Sequence, residues 1–244
     1  MKKIVVHRVL VIALVSILIL IGSGTFYVQT YTYHPTENAL EVSQTGQIDA
    51  KTKTLIFEGD GDEEKPAVIF YQGAFVENTS YSVWAKKLAT AGFSVYLLHT
   101  PLNLAVLHQN AAQEIIEENQ LTKVVIGGHS LGGVMGSRFV HEKVLPQVQG
   151  VFFLASYPDE KGSLLDFEGA VLSITASKDN VLDQQAYEAA KKFLPLQTIY
   201  ETISGGNHAG FGSYGAQKGD HSATISDAQQ QELVSELLIN WLQQ

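Results

Sequence analysis

Short apolar runs alternate with helix-forming segments along most of this chain, and this alternation limits the possible folds more than any other feature. A run of about four to eight apolar residues between turn residues is typical of a strand buried on both faces. Such runs alternating with helices predict an α/β fold whose central sheet is mostly parallel and covered by helices on both faces. Strands are expected at Thr54 to Glu58, Ala67 to Tyr71, Ser94 to Leu98, Lys123 to Gly127, Gly150 to Ala155, Ala170 to Thr175 and Gln197 to Ile203.

The segments between these strands have helix signals, namely amphipathic spacing with glycine or proline near their ends. Only Ser156 to Gly169 separates two of the later strands, and about fourteen residues are too few for an inserted helical lid. The sequence therefore predicts a single sheet domain without a lid. Helices are expected at Ser82 to Ala91, Asn110 to Asn119, Leu131 to Lys143, Asp183 to Phe193 and Asp227 to Trp241.

The N-terminus predicts where the protein resides. Val9 to Val28 contains twenty residues without a charge and follows Lys2, Lys3 and Arg8. As a helix it would be about 30 Å long, enough to cross a bilayer, with its basic end in the cytoplasm. A cleaved signal peptide is the rival interpretation, but no clear A-x-A site follows Ile21. We therefore expect a signal-anchor at 1–30, a linker at 31–51 and an extracytoplasmic catalytic domain at 52–244, with a secreted form as the alternative.

Composition and charge narrow the chemistry. The chain has no cysteine, which excludes disulfides, thiolate metal sites and cysteine catalysis. Its histidines are scattered without an H-E-x-x-H pairing, so neither a metal nor a cofactor is expected. The formal net charge is −9 for the whole chain and −12 without the basic residues 1–30. Nucleic acid is a poor partner for such an acidic domain, because phosphate binding needs clustered Lys and Arg.

One short motif carries the chemistry. Gly128-His129-Ser130-Leu131-Gly132 is a G-x-S-x-G pattern between an expected strand and an expected helix. On such a turn the serine is pushed out over the sheet edge, and the glycines let the two backbones approach closely. The helix N-terminus that begins there directs N–H groups at any negative charge that develops. Ser130 is therefore the candidate nucleophile, and the side chain of His129 is expected to point away as packing.

A serine nucleophile needs a base, and the base needs an orienting acid. Asp179 follows the expected strand Ala170 to Thr175, and His208 follows the strand that ends at Ile203. The order Ser130, Asp179, His208 is the one expected of a nucleophile-elbow hydrolase. Two alternatives stay open: Asp183 could be the acid or only a helix cap, and His221 is a weaker candidate base because no strand leads into it.

With these motifs the chain resembles the α/β-hydrolase superfamily over residues 52–242, and within it the small single-domain esterase-like and dienelactone-hydrolase-like members. The resemblance implies an α/β-hydrolase fold and an oxyanion hole made by two backbone N–H groups. One is that of Leu131, directly after the nucleophile. The other is that of Ala74, in the loop Tyr71 to Phe75. Gln72 stands where the lipase-type H-G-G-G motif has histidine.

The expected function is that of a serine hydrolase that cleaves small carboxylic ester, thioester or lactone bonds through an acyl-enzyme. Its partners would be a small-molecule ester-type substrate and the membrane around the N-terminal helix. An open, lidless site favours short or exposed acyl groups, with Phe75, Tyr157 and Tyr214 as candidate lining residues. Two alternatives from other classes are a catalytically silent binding module at the cell surface and a structural envelope protein.

Overall fold

The computed structural model describes residues 14–16, 22, 24, 28 and 30–244. The chain divides into two compact units, Met1–Thr32 and Tyr33–Gln244. In the described part of the chain, no helix has both the length and the apolar character needed to cross a bilayer. The span predicted for Val9 to Val28 lies largely outside the described residues.

The second unit is built on one eight-stranded sheet with the order β1-β2-β4-β3-β5-β6-β7-β8. Strands β3 to β8 pair in parallel, whereas β1 and β2 extend one edge in antiparallel pairing. The sheet is therefore mostly parallel, as the alternation of elements predicted. The strands are β1 (Gln47–Ile48), β2 (Leu55–Phe57), β3 (Ala67–Tyr71), β4 (Val95–Leu97), β5 (Val124–His129), β6 (Val148–Leu154), β7 (Ala170–Ala176) and β8 (Ile199–Ile203).

Six α-helices pack within residues 33–244, joined by short 3₁₀ turns. They are α1 (Glu37–Ser43), α2 (Ser82–Thr90), α3 (Ala111–Glu118), α4 (Leu131–Lys143), α5 (Gln184–Ala190) and α6 (Asp227–Leu242). The 3₁₀ turns are Asn78–Tyr81, Pro101–Asn103, Ala105–Leu107, Glu160–Gly162, Lys191–Phe193 and Ala209–Phe211. Between β6 and β7 there is only the turn Glu160–Gly162, so this connection carries no helical lid.

The core lies on both faces of the sheet, because successive residues of a strand point to opposite sides. On one face Phe70 contacts Trp84 and Phe152, with ring centroids 4.9 and 5.9 Å apart. On the other face Tyr71 and Phe153 belong to a separate apolar layer beneath α3 and α4. Burial on both faces explains why β3 is apolar throughout and β5 is apolar up to its last residue, His129.

The segment 31–51, predicted as a linker, contains α1 and β1. Thr36 begins α1, with its side-chain hydroxyl accepting from the N–H of Ala39. Ala39 is fully buried, and β1 pairs with β2 at the sheet edge. Residues 33–51 are therefore part of the second compact unit, which starts at Tyr33.

Candidate active site

The turn between β5 and α4 places Ser130 in a strained conformation. Its φ is 51° and its ψ is −123°, a region that side-chain-bearing residues rarely adopt. A Cβ on Gly128 would lie 2.4 Å from the carbonyl carbon of Gly132, and a Cβ on Gly132 would lie 2.2 Å from the Tyr71 carbonyl oxygen. Only glycine fits at both positions, which is the physical reason for the two glycines of the motif.

Hydrogen bonds from neighbouring elements hold the Ser130 backbone in this turn. Its N–H donates to the carbonyl of Leu154 at the end of β6, 3.0 Å away. Its carbonyl accepts from the Ser156 hydroxyl at 2.6 Å and from the N–H of Gly133 at 3.1 Å. The half-buried side chain is thus presented on a backbone that is fixed from both sides.

Asp179 and His208 are brought into direct contact by the loops after β7 and β8. His208 Nδ1 lies 2.8 Å from Asp179 Oδ2, and the two side chains are 1% and 0% exposed. The other carboxylate oxygen accepts from the N–H groups of Val181 and Leu182, both at 2.8 Å. An ionised carboxylate can only accept, so the hydrogen lies on Nδ1 and neutral His208 has its lone pair on Nε2.

The Nε2 atom of His208 is buried, and within the described residues it has no hydrogen-bond partner. The His208 ring packs on His129, the residue before Ser130, with ring centroids 4.6 Å apart. Ser130, Asp179 and His208 thus all follow the carboxyl ends of parallel strands of the sheet. Among the described contacts there is no hydrogen bond between Ser130 Oγ and His208 Nε2. Catalytic hydrogen bonds of this kind are commonly long when no substrate is bound.

The loop that carries His208 is held by two glutamines of α6. Gln230 Oε1 accepts from the N–H of Asn207 at 3.0 Å, while its Nε2 donates to the Asn207 carbonyl at 2.8 Å. Gln231 Nε2 donates to the carbonyl of Gly210 at 2.8 Å. Both glutamines are buried. They therefore anchor the backbone on either side of His208 to the last helix.

The loop after β3 contains the predicted second oxyanion donor. The described hydrogen bonds include none donated by the backbone N–H groups of Ala74 or Leu131. Gln72 is buried, with its amide nitrogen donating to the Leu98 carbonyl (2.7 Å) and its oxygen accepting from Thr100 (3.2 Å). Gln72 thus ties this loop to the end of β4.

His129 is packed in the interior as expected, but its side chain contacts His208 instead of pointing away from the site. Its Nδ1 lies 2.9 Å from the Tyr81 hydroxyl, which also accepts from the N–H of Gly73 at 3.0 Å. Burial, and then the charge of His208, lower the pKa of His129 well below its ordinary value, with the His208 backbone carbonyl opposing them. A neutral His129 does not repel an imidazolium at His208.

Of the remaining candidates, the alternative acid is a helix cap and the alternative base is exposed, whereas Tyr214 lies near the site, with its ring centroid 6.5 Å from that of His129. Asp183 caps α5, its Oδ1 accepting from the N–H of Ala186 at 2.9 Å, and His221 is exposed. Tyr214 is buried against Tyr33, with ring centroids 5.4 Å apart, and Tyr157 packs beside Tyr187. Phe75 is half-buried with a positive φ of 60°. The described residues contain no group of three or more potential metal ligands.

Sequence reasoning missed the residues that hold the acid and base loops, including Gln230, Gln231 and Asp220. Gln230 had a usable signal: it shares a helical face with Val234 and Leu238, four and eight residues on, which are both buried. A polar residue in an apolar stripe indicates a buried hydrogen-bonding role. Asp220 had no such signal, since its partners lie 11 and 40 residues away.

Comparison with known proteins gives the following matches. A sequence model of the alpha/beta hydrolase family matches residues 67–232. A search of curated proteins gives no match. A predicted CIB-like hydrolase from Thermoplasma acidophilum is similar in structure at a TM-score of 0.59 and 14% identity, covering 79% of this chain and 96% of that one.

Two further solved structures are similar. Naproxen esterase from Bacillus subtilis has a TM-score of 0.58 and 11% identity, covering 83% of this chain and 95% of its own. A monoacylglycerol lipase from Paleococcus ferrophilus has a TM-score of 0.58 and 13% identity, covering 78% and 99%. At these identities the likeness concerns the fold.

Proposed function

The chain belongs to the alpha/beta hydrolase family, and we propose that it is a serine hydrolase acting on small carboxylic ester, thioester or lactone bonds. In this proposal Ser130 is the nucleophile, His208 the general base and Asp179 the orienting acid. The backbone N–H groups of Leu131 and Ala74 form the oxyanion hole. The proposal requires neither metal nor cofactor.

The observation that carries the proposal is the state of His208. Its Nδ1–H is held by a buried carboxylate at 2.8 Å, so its Nε2 lone pair is available as a base. That atom is buried and lacks a partner within the described residues. Leaving a buried polar atom unpaired costs about 1–3 kcal/mol, which is tolerated where the atom has a partner during turnover.

The mechanism follows from these positions. His208 Nε2 removes the proton from Ser130 Oγ as the oxygen attacks the substrate carbonyl carbon, and Asp179 stabilises the imidazolium. The two backbone donors bind the negative oxygen of the tetrahedral intermediate. Its collapse transfers the proton to the leaving group and leaves an acyl-enzyme. Water, deprotonated by His208, then releases the carboxylic acid and restores Ser130.

The preference for small substrates rests on the connection between β6 and β7. It contains the 3₁₀ turn Glu160–Gly162 and no helix that could cover the site. Substrates with short or exposed acyl groups need no enclosing lid, which favours them over long-chain lipids. Esters, thioesters and lactones share the same electrophilic carbonyl and are proposed together for that reason.

We also propose that residues 1–30 anchor the protein in the cell membrane, with 52–244 outside the cytoplasm. The support is the charge-free run Val9 to Val28 behind three basic residues. Retention of the full-length protein in alkali-washed membranes, together with its digestion by protease added to intact spheroplasts, is the expected result. Release of a shortened protein into the medium would instead indicate a cleaved signal peptide.

Ester turnover by the full-length protein tests the proposed activity. Ser130→Ala and His208→Ala should each lower kcat for short-chain nitrophenyl esters by about 10⁴-fold, because either change disables the nucleophile. His221→Ala is the matched control, an exposed histidine from the adjacent loop, and should leave kcat unchanged. Wild-type protein that is folded but inactive on a panel of esters, thioesters and lactones would refute the proposal.

A further inference from the structure

The carboxylate of Asp220 joins the two loops that carry Asp179 and His208. Its Oδ2 accepts from the N–H of Ala209 at 2.9 Å, and its Oδ1 accepts from the N–H of Asn180 at 3.1 Å. Ala209 directly follows His208, and Asn180 directly follows Asp179. A single side chain thus binds the next backbone group after each member of the proposed acid–base pair.

The chain around Asp220 strengthens the same connection. The carbonyl of Gly219 accepts from Asn180 Nδ2 at 2.9 Å, and the carbonyl of His221 accepts from Asn207 Nδ2 at 2.7 Å. Residues 219–221 therefore contact the acid loop and the base loop at the same time. This three-residue segment makes four hydrogen bonds to those loops, two through the Asp220 carboxylate.

The two loops need such a connection because the sheet stops short of them. The β7–β8 pairing ends at Ala176 and Ile203, and Lys178 N–H still donates to the Gly206 carbonyl at 2.8 Å. Asp179 and His208 lie beyond this point. A hydrogen bond between their side chains depends on the relative position of two loops, and small displacements of a catalytic group cost much of the rate.

We propose that Asp220 is a positioning residue that sets the distance and orientation between Asp179 and His208. Its carboxylate has two acceptor oxygens, one for each loop, which an amide side chain cannot offer. Bonds to charged acceptors are the stronger ones, so the connection is firm although Asp220 is only half-buried. The role rests on the proposed function, because it serves the acid–base pair assigned there.

Asp220→Asn is the first test, measured on the full-length protein. The amide keeps the shape of the side chain but puts an NH₂ group against one of the two backbone N–H donors. We expect kcat for a short-chain ester to fall by about 10²-fold, while KM changes less than about twofold, because substrate binding does not use this carboxylate. Asp220→Glu keeps both acceptors and should recover part of kcat.

Asp183→Asn is the matched control. Asp183 is also a loop aspartate that accepts a backbone N–H bond, and it lies four residues from Asp179. It caps α5 and contacts neither Asn180 nor Ala209 in the described structure. Asparagine is an equally good helix cap, so this variant should keep wild-type kcat and KM.

A second readout does not depend on turnover. The His208 Nδ1 proton, shared with a carboxylate, should give a strongly downfield proton resonance in wild type. We expect it to broaden or vanish in Asp220→Asn and to persist in Asp183→Asn. Folding of each variant is checked by its melting temperature and near-UV circular dichroism.

The outcomes separate this inference from the proposed function. An inactive wild type would refute the function, and the His208 resonance alone would then decide the role of Asp220. An active wild type with folded Asp220→Asn at unchanged kcat and an intact resonance would overturn the positioning role. A loss confined to KM would overturn it too, as would an equal loss in Asp183→Asn. If Asp220→Asn does not fold, Asp220→Glu is measured instead. A partial loss of kcat in Asp220→Glu would support the positioning role, and an unchanged kcat would overturn it.

Discussion

The nucleophile turn and the acid–base loops are held in place by different means. The turn around Ser130 depends on close backbone contacts at Gly128 and Gly132, which leave no room for a Cβ, and on hydrogen bonds of its backbone with the end of β6 and the segment after it. The loops of Asp179 and His208 are fixed by side-chain hydrogen bonds from distant positions, such as Gln230 and Asp220. The close contacts of the turn require glycine at two fixed positions and so produce a recognisable motif, whereas side-chain bonds between distant segments leave no pattern along the chain.

The nucleophile turn and the acid–base loops also differ in how their backbones are held. Steric contact within the turn stores backbone strain at Ser130, which the β5–α4 junction must maintain in every state. The loops of Asp179 and His208 are held instead by the hydrogen bonds of Gln230, Gln231 and Asp220.

The largest effect should come from removing the Asp179 carboxylate that orients His208. In Asp179→Asn the amide NH₂ would face His208 Nδ1 and force the proton onto Nε2, leaving no base for Ser130. We expect kcat to fall by about 10⁴-fold with the fold intact. Steady-state ester hydrolysis measures it.

Asp183→Asn serves again as the control for this change, because it alters an aspartate of the same loop that is not bonded to His208. Its kcat should equal that of wild type. If the two variants exchanged these results, Asp183 would be the acid and the assignment of Asp179 would be wrong.

A smaller effect should come from disturbing the close backbone contact at Gly132. Gly132→Ala puts a Cβ 2.2 Å from the Tyr71 carbonyl and 2.5 Å from that of Gln72, so the elbow and the loop of Ala74 must separate. Displacing an oxyanion donor costs about 10²–10³-fold in kcat, and we expect the lower end of that range. The melting temperature should also fall, which differential scanning calorimetry would show.

Gly136→Ala, one turn further along α4, is the control for that substitution. There the Cβ would lie 3.2 Å from an Ile126 methyl group and 3.4 Å from the Tyr71 ring, contacts that side-chain shifts can relieve. This variant should stay active. Equal activity of both alanine variants would contradict the steric account of the turn.

Strands β3, β5, β6 and β7 could be predicted from the sequence because they are almost wholly buried and contain long apolar runs, whereas β8 is exposed at all but its last residue. β3 and α4 have the predicted bounds, whereas β8 begins at Ile199 instead of Gln197. The two-residue β1 is too short for a periodic signal, and its residues are exposed at the sheet edge. The N-cap of α6 is Ser226, with Gln229 completing a capping box, and α6 begins at Asp227 as predicted.

The candidate site residues and their order along the chain could be proposed from the sequence, but the residues that form hydrogen bonds with them could not. Ser130, Asp179 and His208 each follow a strand, which a motif and an apolar run can locate. The Tyr81 hydroxyl between Gly73 and His129 depends on a residue 48 positions from the histidine it contacts. Such contacts arise from the way the 3₁₀ turn Asn78–Tyr81 packs against β5, and residue spacing along the chain does not determine them.

Covalent labelling of the full-length protein with a fluorophosphonate, followed by peptide mass spectrometry, tests directly whether Ser130 is an activated nucleophile. The probe reacts with an activated serine and ignores ordinary hydroxyls. We expect one adduct, on Ser130. It should be absent in Ser130→Ala, and its formation should be much slower in His208→Ala. A folded wild type that takes up no label, or a label that persists in Ser130→Ala, would contradict the assignment of Ser130 as the nucleophile.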